Sequence, residues 1–193
     1  MDPLELAHEV GELFESMAIP WVLGGSLASS MVGEPRSTMD IDMAVRMSLD
    51  HVDRLVAAVI DQYYVSADMV RDAVIRKSSF NILHYESAFE VDIFVLGEGL
   101  LDRRQIDRRR RVVVDAGRSF ELWTGSTEDQ VLRKLAWFRS GGEVSDRQWR
   151  DVLGILVVQA DRVNVTDLVA TGQLVGLADL VQRALLEAGL ADG

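Results

Sequence analysis

The strongest constraint on this chain is a Gly-Gly-Ser turn at Gly24, Gly25 and Ser26, followed 14 residues after Ser26 by an Asp-Ile-Asp triplet at Asp40 to Asp42. The turn sits between a short apolar stretch, Trp21 to Leu23, and a small-residue run, LASSMV. That order predicts a strand, a tight turn and a helix, with Ser26 placed to cap the helix. Such a turn at the mouth of a helix offers bare backbone N–H groups and a hydroxyl to an anion. In MDIDMAV (39–45), Met39, Ile41, Met43 and Val45 alternate with Asp40, Asp42 and Ala44, the period of a strand. The two aspartates then share one face, roughly 7 Å apart at about 3.3 Å per residue. Two hard oxygen ligands so placed could bridge Mg²⁺ to a phosphate.

A second strand of the same kind, FEVDIFVL (89–96), carries Asp92 and Glu90 on one face and Val91, Ile93 and Val95 on the other. It should pair as a hairpin with SFNILHY (79–85) across a turn at Glu86-Ser87. A solvent-facing edge would also accept paired aspartates. Strands this apolar on their other side tolerate unpaired carboxylates poorly, and the anion turn still needs a purpose. The combination points to nucleotidyl transfer.

LGGS at 23–26, MDIDMAV at 39–45 and VDIFVL at 91–96 together resemble the DNA polymerase β-type nucleotidyltransferase superfamily, whose pattern is a GGS or GS turn, a D-x-D strand and a later strand with a third carboxylate. KLAWFRSGGEVSDRQWRDVLGI (134–155) resembles the helical half of small prokaryotic members, including AbiEii-like toxin nucleotidyltransferases. The resemblance implies an enzyme that moves an NMP from an NTP to an acceptor hydroxyl and releases pyrophosphate. It implies two Mg²⁺ ions bridged by Asp40 and Asp42, with Asp92 holding the metal nearest the acceptor and helping to take its proton. Gly24, Gly25 and Ser26 would bind the phosphates, and Lys134 would reach the triphosphate from the first helix of the helical half. Arg36 and Thr38, just before the aspartates, could close over the phosphates, although Arg36 could equally pair with Glu34. Arg139, Asp146 and Asp151 look like polar residues lining the cleft; a solvated, salt-bridged face explains them as well. Lys134 itself could simply snorkel from a buried helix.

The elements around these motifs follow from periodicity. Leu6, Val10, Leu13, Phe14 and Met17 predict an amphipathic first helix ended by Pro20. Ser48 opens a helix with Leu49, Val52, Leu55, Val56 and Val59 buried, and another helix spans about Asp68 to Ile75. Arg103 to Arg111 reads as a loop or helix end before strands at 112–114 and 120–123. Past Gly125 the pattern is helical throughout: a helix from Thr127 to Gly141, one opened by Ser145 with Gln148 as a capping box, and two more punctuated by Thr166 and Gly176. The expected architecture is α+β, a mixed sheet of about four to six strands flanked by helices and followed by a helical C-terminal half. The domains would be 1–125 and 126–193.

Composition narrows the partners. No apolar run reaches the ~18–20 residues that cross a bilayer, and the acidic, amphipathic N-terminus does not read as a signal peptide, so a cytoplasmic protein without a membrane partner is expected. There are no cysteines, and none of the three histidines has metal-ligand spacing. The net charge of −11 argues against indiscriminate nucleic-acid binding, yet Arg103 to Arg111 hold six arginines against one aspartate, a local +5 that leaves −16 elsewhere. This segment is the one dense cationic stretch for an RNA backbone. The acceptor expected from the toxin-type resemblance is RNA, such as a tRNA end, or a protein, with a cognate antitoxin as a possible partner. Two alternatives stay open: an antibiotic nucleotidyltransferase acting on aminoglycosides or lincosamides, whose acidic cleft suits the −16, and a non-catalytic nucleotide-binding regulator. The oligomeric state is not legible.

Overall fold

The computed structural model describes residues 2–33, 39–115 and 119–190. Asp2 opens the fold: its carboxylate accepts from the Leu4 and Glu5 amides while Glu5 reaches back to the Asp2 amide. This capping box starts α1 (Pro3–Ser16), whose Leu6, Val10 and Phe14 are buried. β1 (Trp21–Leu23) follows, then α2 (Gly25–Val32) and β2 (Ile41–Val45). Ser48 caps a short 3₁₀ turn, Leu49–His51, that runs into α3 (Val52–Val59); Leu49 is exposed rather than part of the buried stripe. β3 (Tyr63–Tyr64), α4 (Ala67–Arg76), β4 (Ser79–His84) and β5 (Glu90–Val95) complete this half of the sheet.

The arginine segment is mostly regular structure. α5 (Leu100–Asp107) holds Arg103 and Arg104, and β6 (Arg110–Asp115) holds Arg110 and Arg111; β7 (Ser119–Thr124) pairs with it. Four helices close the chain: α6 (Thr127–Ser140), α7 (Asp146–Val158), α8 (Val165–Leu174) and α9 (Ala178–Glu187). Ser145 caps α7 through the Gln148 amide as expected. Asn164, not Thr166, caps α8, and Ser126 caps α6. Both caps lie one residue ahead of the first turn, where a side-chain oxygen can reach back to the third amide.

The described strands form one seven-stranded sheet, ordered β3-β4-β5-β2-β1-β7-β6. It is mixed: β2 runs parallel to β5 and β1 parallel to β7, while the other neighbours are antiparallel. The strand beyond the expected four to six is β3. Two residues carry no readable alternation, and only pairing of Tyr63 with His84 and Tyr64 with Leu83 defines it as an edge. The fold class is α+β, a mixed sheet with flanking helices followed by a helical half.

One core lies between the sheet and the helices of the first half, built on Leu6, Val10 and Phe14 against Trp21, Ile41, Met43, Val91 and Ile93. Gly11 lets the Trp21 ring lie directly on α1; a Cβ there would overlap the indole. A second core joins α6 to α9 through Leu132, Leu135, Val152, Ile155, Leu168 and Val181. The opposite face of the sheet carries a smaller apolar cluster, Val22, Ala44, Leu96 and Ile106, and also the aspartates.

Candidate functional site

The Gly-rich turn is bolted to the aspartate strand. The Gly24 amide donates to the Asp42 carbonyl at 2.8 Å, and Gly25 takes a left-handed φ of +59°. A Cβ on Gly25 would run into the Asp42 carboxylate, so both the backbone conformation and the space demand glycine. Ser26 is not the cap of α2. Gly24 occupies that position and no described side chain caps the first turn. The first amides of α2, which have no partner within the helix, therefore stand at the rim of the cleft.

Asp42 and Asp92 are direct cross-strand neighbours in the parallel pair β2·β5. Adjacent strands lie about 4.7–4.9 Å apart, and both side chains leave the same face. Burial, then the neighbouring charges of Asp92 and Asp40, push the Asp42 carboxyl above its ordinary value, while Lys134 and Arg147 pull it down. Burial, then Glu90 and Asp40, raise Asp92. Glu90 accepts from the Asn81 amide group. The two aspartates thus form a crowded anionic pair that a cation would relieve.

Asp40 departs from the expected strand. β2 begins at Ile41, Met39 is exposed, and the Asp40 side chain is 70% exposed and 3.9 Å from Arg147. Among the described residues no three His, Cys, Asp or Glu side chains are grouped closely enough to hold a metal ion, so the three-carboxylate convergence expected for Asp40, Asp42 and Asp92 is incomplete. The donor chemistry nevertheless fits Mg²⁺: a crowded pair of carboxylate oxygens with a third carboxylate at the strand mouth.

The helical half closes the cleft. Lys134 on α6 lines it with Gly24, Gly25, Ser26, Asp40 and Asp42, around a cavity of about 780 Å³. Its ammonium sits 2.9 Å from Asp151 of α7, and both side chains are largely buried. Arg147, in the first turn of α7, extends its guanidinium to Ser26 Oγ at 3.5 Å as well as to Asp40. Sequence reasoning missed Arg147. Its only signal was a place two residues after the Ser145 cap, and nothing local says that this helix start faces the Gly-rich turn.

Two expected cleft residues are elsewhere. Arg139 binds Glu143, Asp179 and the Gly176 carbonyl, tying the end of α6 to the start of α9. Asp146 is exposed and does not line the cavity. Each follows from helix phase: Arg139 lies five residues beyond Lys134, away from the face that Lys134 presents. Arg36 and Thr38 lie outside the described residues.

The arginines are engaged within the chain. Arg104 binds buried Asp129 at 2.6 Å and Asp167 through two nitrogens, and Arg108 binds Asp167 at 2.6 Å. Arg109 donates to the Trp21 carbonyl and lies over Trp123; Arg110 donates to Thr127, and Arg111 pairs with Glu121. The segment fastens the sheet to the helical half.

No protein-family model matches the chain, and no curated protein matches its sequence. Among solved structures it is similar to an antigenic nucleotidyltransferase-like protein from Paracoccidioides brasiliensis, with a TM-score of 0.55 and 15% identity over 95% of this chain and 90% of that one. It is also similar to the antibiotic-resistance factor ANT(2'')-Ia, with a TM-score of 0.55 and 15% identity over 97% of each chain. Among the described residues no helix is long and apolar enough to cross a membrane. At these identities the likeness establishes the fold, which is nucleotidyltransferase-like.

Proposed function

We propose that the chain is a Mg²⁺-dependent nucleotidyltransferase that moves an NMP from an NTP to an acceptor hydroxyl. The observation that carries this is the in-register pair Asp42 and Asp92 beside a Gly24-Gly25-Ser26 turn that packs on the Asp42 carboxylate. The amides of Gly25 and Ser26 at the α2 N-terminus would bind the β and γ phosphates. Lys134 and Arg147 would add point charge and a donor fork there. The acceptor oxygen forms a bond to the α-phosphorus, the bond to the β-phosphate oxygen breaks, and pyrophosphate leaves. Asp92 would take the acceptor proton, since burial, then the charges of Glu90 and Asp40, raise its carboxyl and make it a stronger base than an ordinary carboxylate. Asp42 and Asp92 would hold Mg²⁺, with Asp40 at the strand mouth as the third carboxylate, and the ion when bound supplies charge neutralisation on the attacking and leaving oxygens.

For the acceptor, the internal pairing of the arginine segment supports a small molecule. Arg104 and Arg108 are spent on Asp129 and Asp167, so an RNA backbone would compete with those bonds. A small hydroxyl-bearing acceptor suits the cavity of about 780 Å³, and the likeness to an antibiotic-resistance factor supports the same direction. An RNA or protein acceptor, with an antitoxin partner, is the second reading, carried by the sequence resemblance.

Incubating the protein with each α-labelled NTP, Mg²⁺ and either total tRNA or a panel of aminoglycosides and lincosamides decides between them. Label on the small molecules is expected. Label on RNA or on protein moves the assignment to the second reading. Binding of NTP without transfer to any acceptor would leave a regulator, and the enzymatic reading would fail.

A further inference from the structure

The cleft extends well past the aspartates. Side chains alternate along β2 and β5, so Ala44 and Phe94 stand on the face of Asp42 and Asp92, two residues further on, roughly 7 Å away at 3.3–3.4 Å per residue. Val22, opposite Ala44 on β1, joins them. Together with Leu96 these residues line the cavity beyond the aspartates. α6 brings Trp137 to Phe94, with ring centroids 5.8 Å apart and planes at 76°. Trp137 is 50% exposed and lines the cavity. It lies three residues after Lys134, on the same helix surface. One helix face therefore presents a cation and, one turn further along, an indole to the same cleft.

An edge-to-face aromatic pair leaves a ring face open to a planar ligand. We propose that Trp137 and Phe94 seat the nucleobase of the bound triphosphate and select purines over pyrimidines by stacking area. This rests on the nucleotidyl-transfer reading above. The polar groups around the seat are turned toward one another. Arg133 donates to Asp102 at 2.5 Å and, with the Gln105 amide oxygen turned to face it, to Gln105. Asp102 also accepts from the Gly97 amide, and Gln130 donates to the Gly125 carbonyl. Each of these groups already has a partner within the chain, so the seat offers stacking area more than an edge pattern for telling bases apart.

Calorimetric titration of the full chain with ATP, GTP, CTP, UTP and inorganic tripolyphosphate, each with Mg²⁺, tests the proposal. ATP and GTP should bind within about threefold of each other and about tenfold more tightly than CTP or UTP, as stacking differences allow. Trp137→Ala should weaken ATP and GTP by about tenfold, erase their advantage over the pyrimidines, and leave tripolyphosphate unchanged. Trp137→Phe should keep most of the purine preference. Trp137 is half exposed, so both variants should melt as the wild type does. An ATP affinity indifferent to the ring, or an equal loss for ATP and tripolyphosphate, overturns the base seat while nucleotide binding stands. A wild-type chain that binds no triphosphate overturns the functional reading, and the seat with it.

Discussion

The Asp42 carboxylate occupies the space that a side chain on Gly25 would need. Gly25 also holds φ at +59°, so the turn and the aspartate strand are matched as one unit. Gly25→Ala should cost about 1–3 kcal/mol for the left-handed backbone alone, and the clash would push Asp42 out of line with Asp92. A urea melt should show the stability loss. NTP affinity should fall even at temperatures where the variant is fully folded. Retention of full affinity would separate the turn from the site.

Asp42 carries a charge that the folded protein disfavours, since its carboxyl is raised by burial and by Asp92 and Asp40. Below the ordinary carboxylate value it is protonated in both folded and unfolded chains and contributes nothing. As pH rises through the folded value, the folded chain pays for ionisation that the unfolded chain makes freely, so stability is lost and stays lost at neutral pH. Asp42→Asn should therefore leave the melting temperature equal or higher at pH 7 without metal, and the gap should close in acid. Mg²⁺-dependent transfer should nearly vanish. Unfolding of the variant at pH 7 would give the residue a structural role instead.

Asp92 as proton acceptor implies a pH profile. Burial and the charges of Glu90 and Asp40 raise its carboxyl, so its base form disappears at a higher pH than that of an exposed aspartate. Asp92→Asn should lower kcat by about 10²–10⁴-fold, the usual contribution of a general base, and should displace the acid limb of kcat/KM. An unshifted acid limb in Asp92→Asn would move the role to another group.

Lys134 meets Asp151 at 2.9 Å with both side chains largely buried. A triphosphate would replace Asp151 as its partner. Lys134→Ala should weaken NTP binding by about 10- to 100-fold, the worth of a charged hydrogen bond of roughly 1.5–3 kcal/mol, and should affect the matching NMP much less. Equal losses for both nucleotides in calorimetry would reduce Lys134 to a structural partner of Asp151.

Arg104 is a brace. Removing it leaves Asp129, whose side chain is 1% exposed, short of its 2.6 Å partner. Arg104→Ala should cost about 3–5 kcal/mol, the penalty for breaking a buried pair, seen as a lower urea midpoint at unchanged slope. Asp167, which burial works to raise but hydrogen bonds from Arg104 and Arg108 hold below the usual range, gives the brace a pH signature. Its contribution is present above the unfolded value and disappears as pH falls through the depressed one. The stability gap between wild type and Arg104→Ala should therefore narrow in acid. A variant as stable as the wild type would return the arginine segment to surface duty.

What was legible in the sequence is what local repetition encodes. The Gly24-Gly25-Ser26 turn, the alternation around Asp42 and Asp92, the hairpin of Phe80 and Ile93, and the helix stripes of Leu6 to Phe14 and Val131 to Phe138 are each set by neighbours a few residues away. Backbone sterics and the burial of one face act at that range. The tertiary structure alone decided which elements face each other. Arg104 and Asp167 are 63 residues apart, and a charge run has the same sequence whether it meets solvent, RNA or its own carboxylates. Arg147 reaches Ser26 across 121 residues because α7 packs against α2, a fact with no local periodicity. Tyr63 and Tyr64 become a strand only by pairing with β4. Local physics chose the elements and the chemistry they carry; packing chose which of the charges meet.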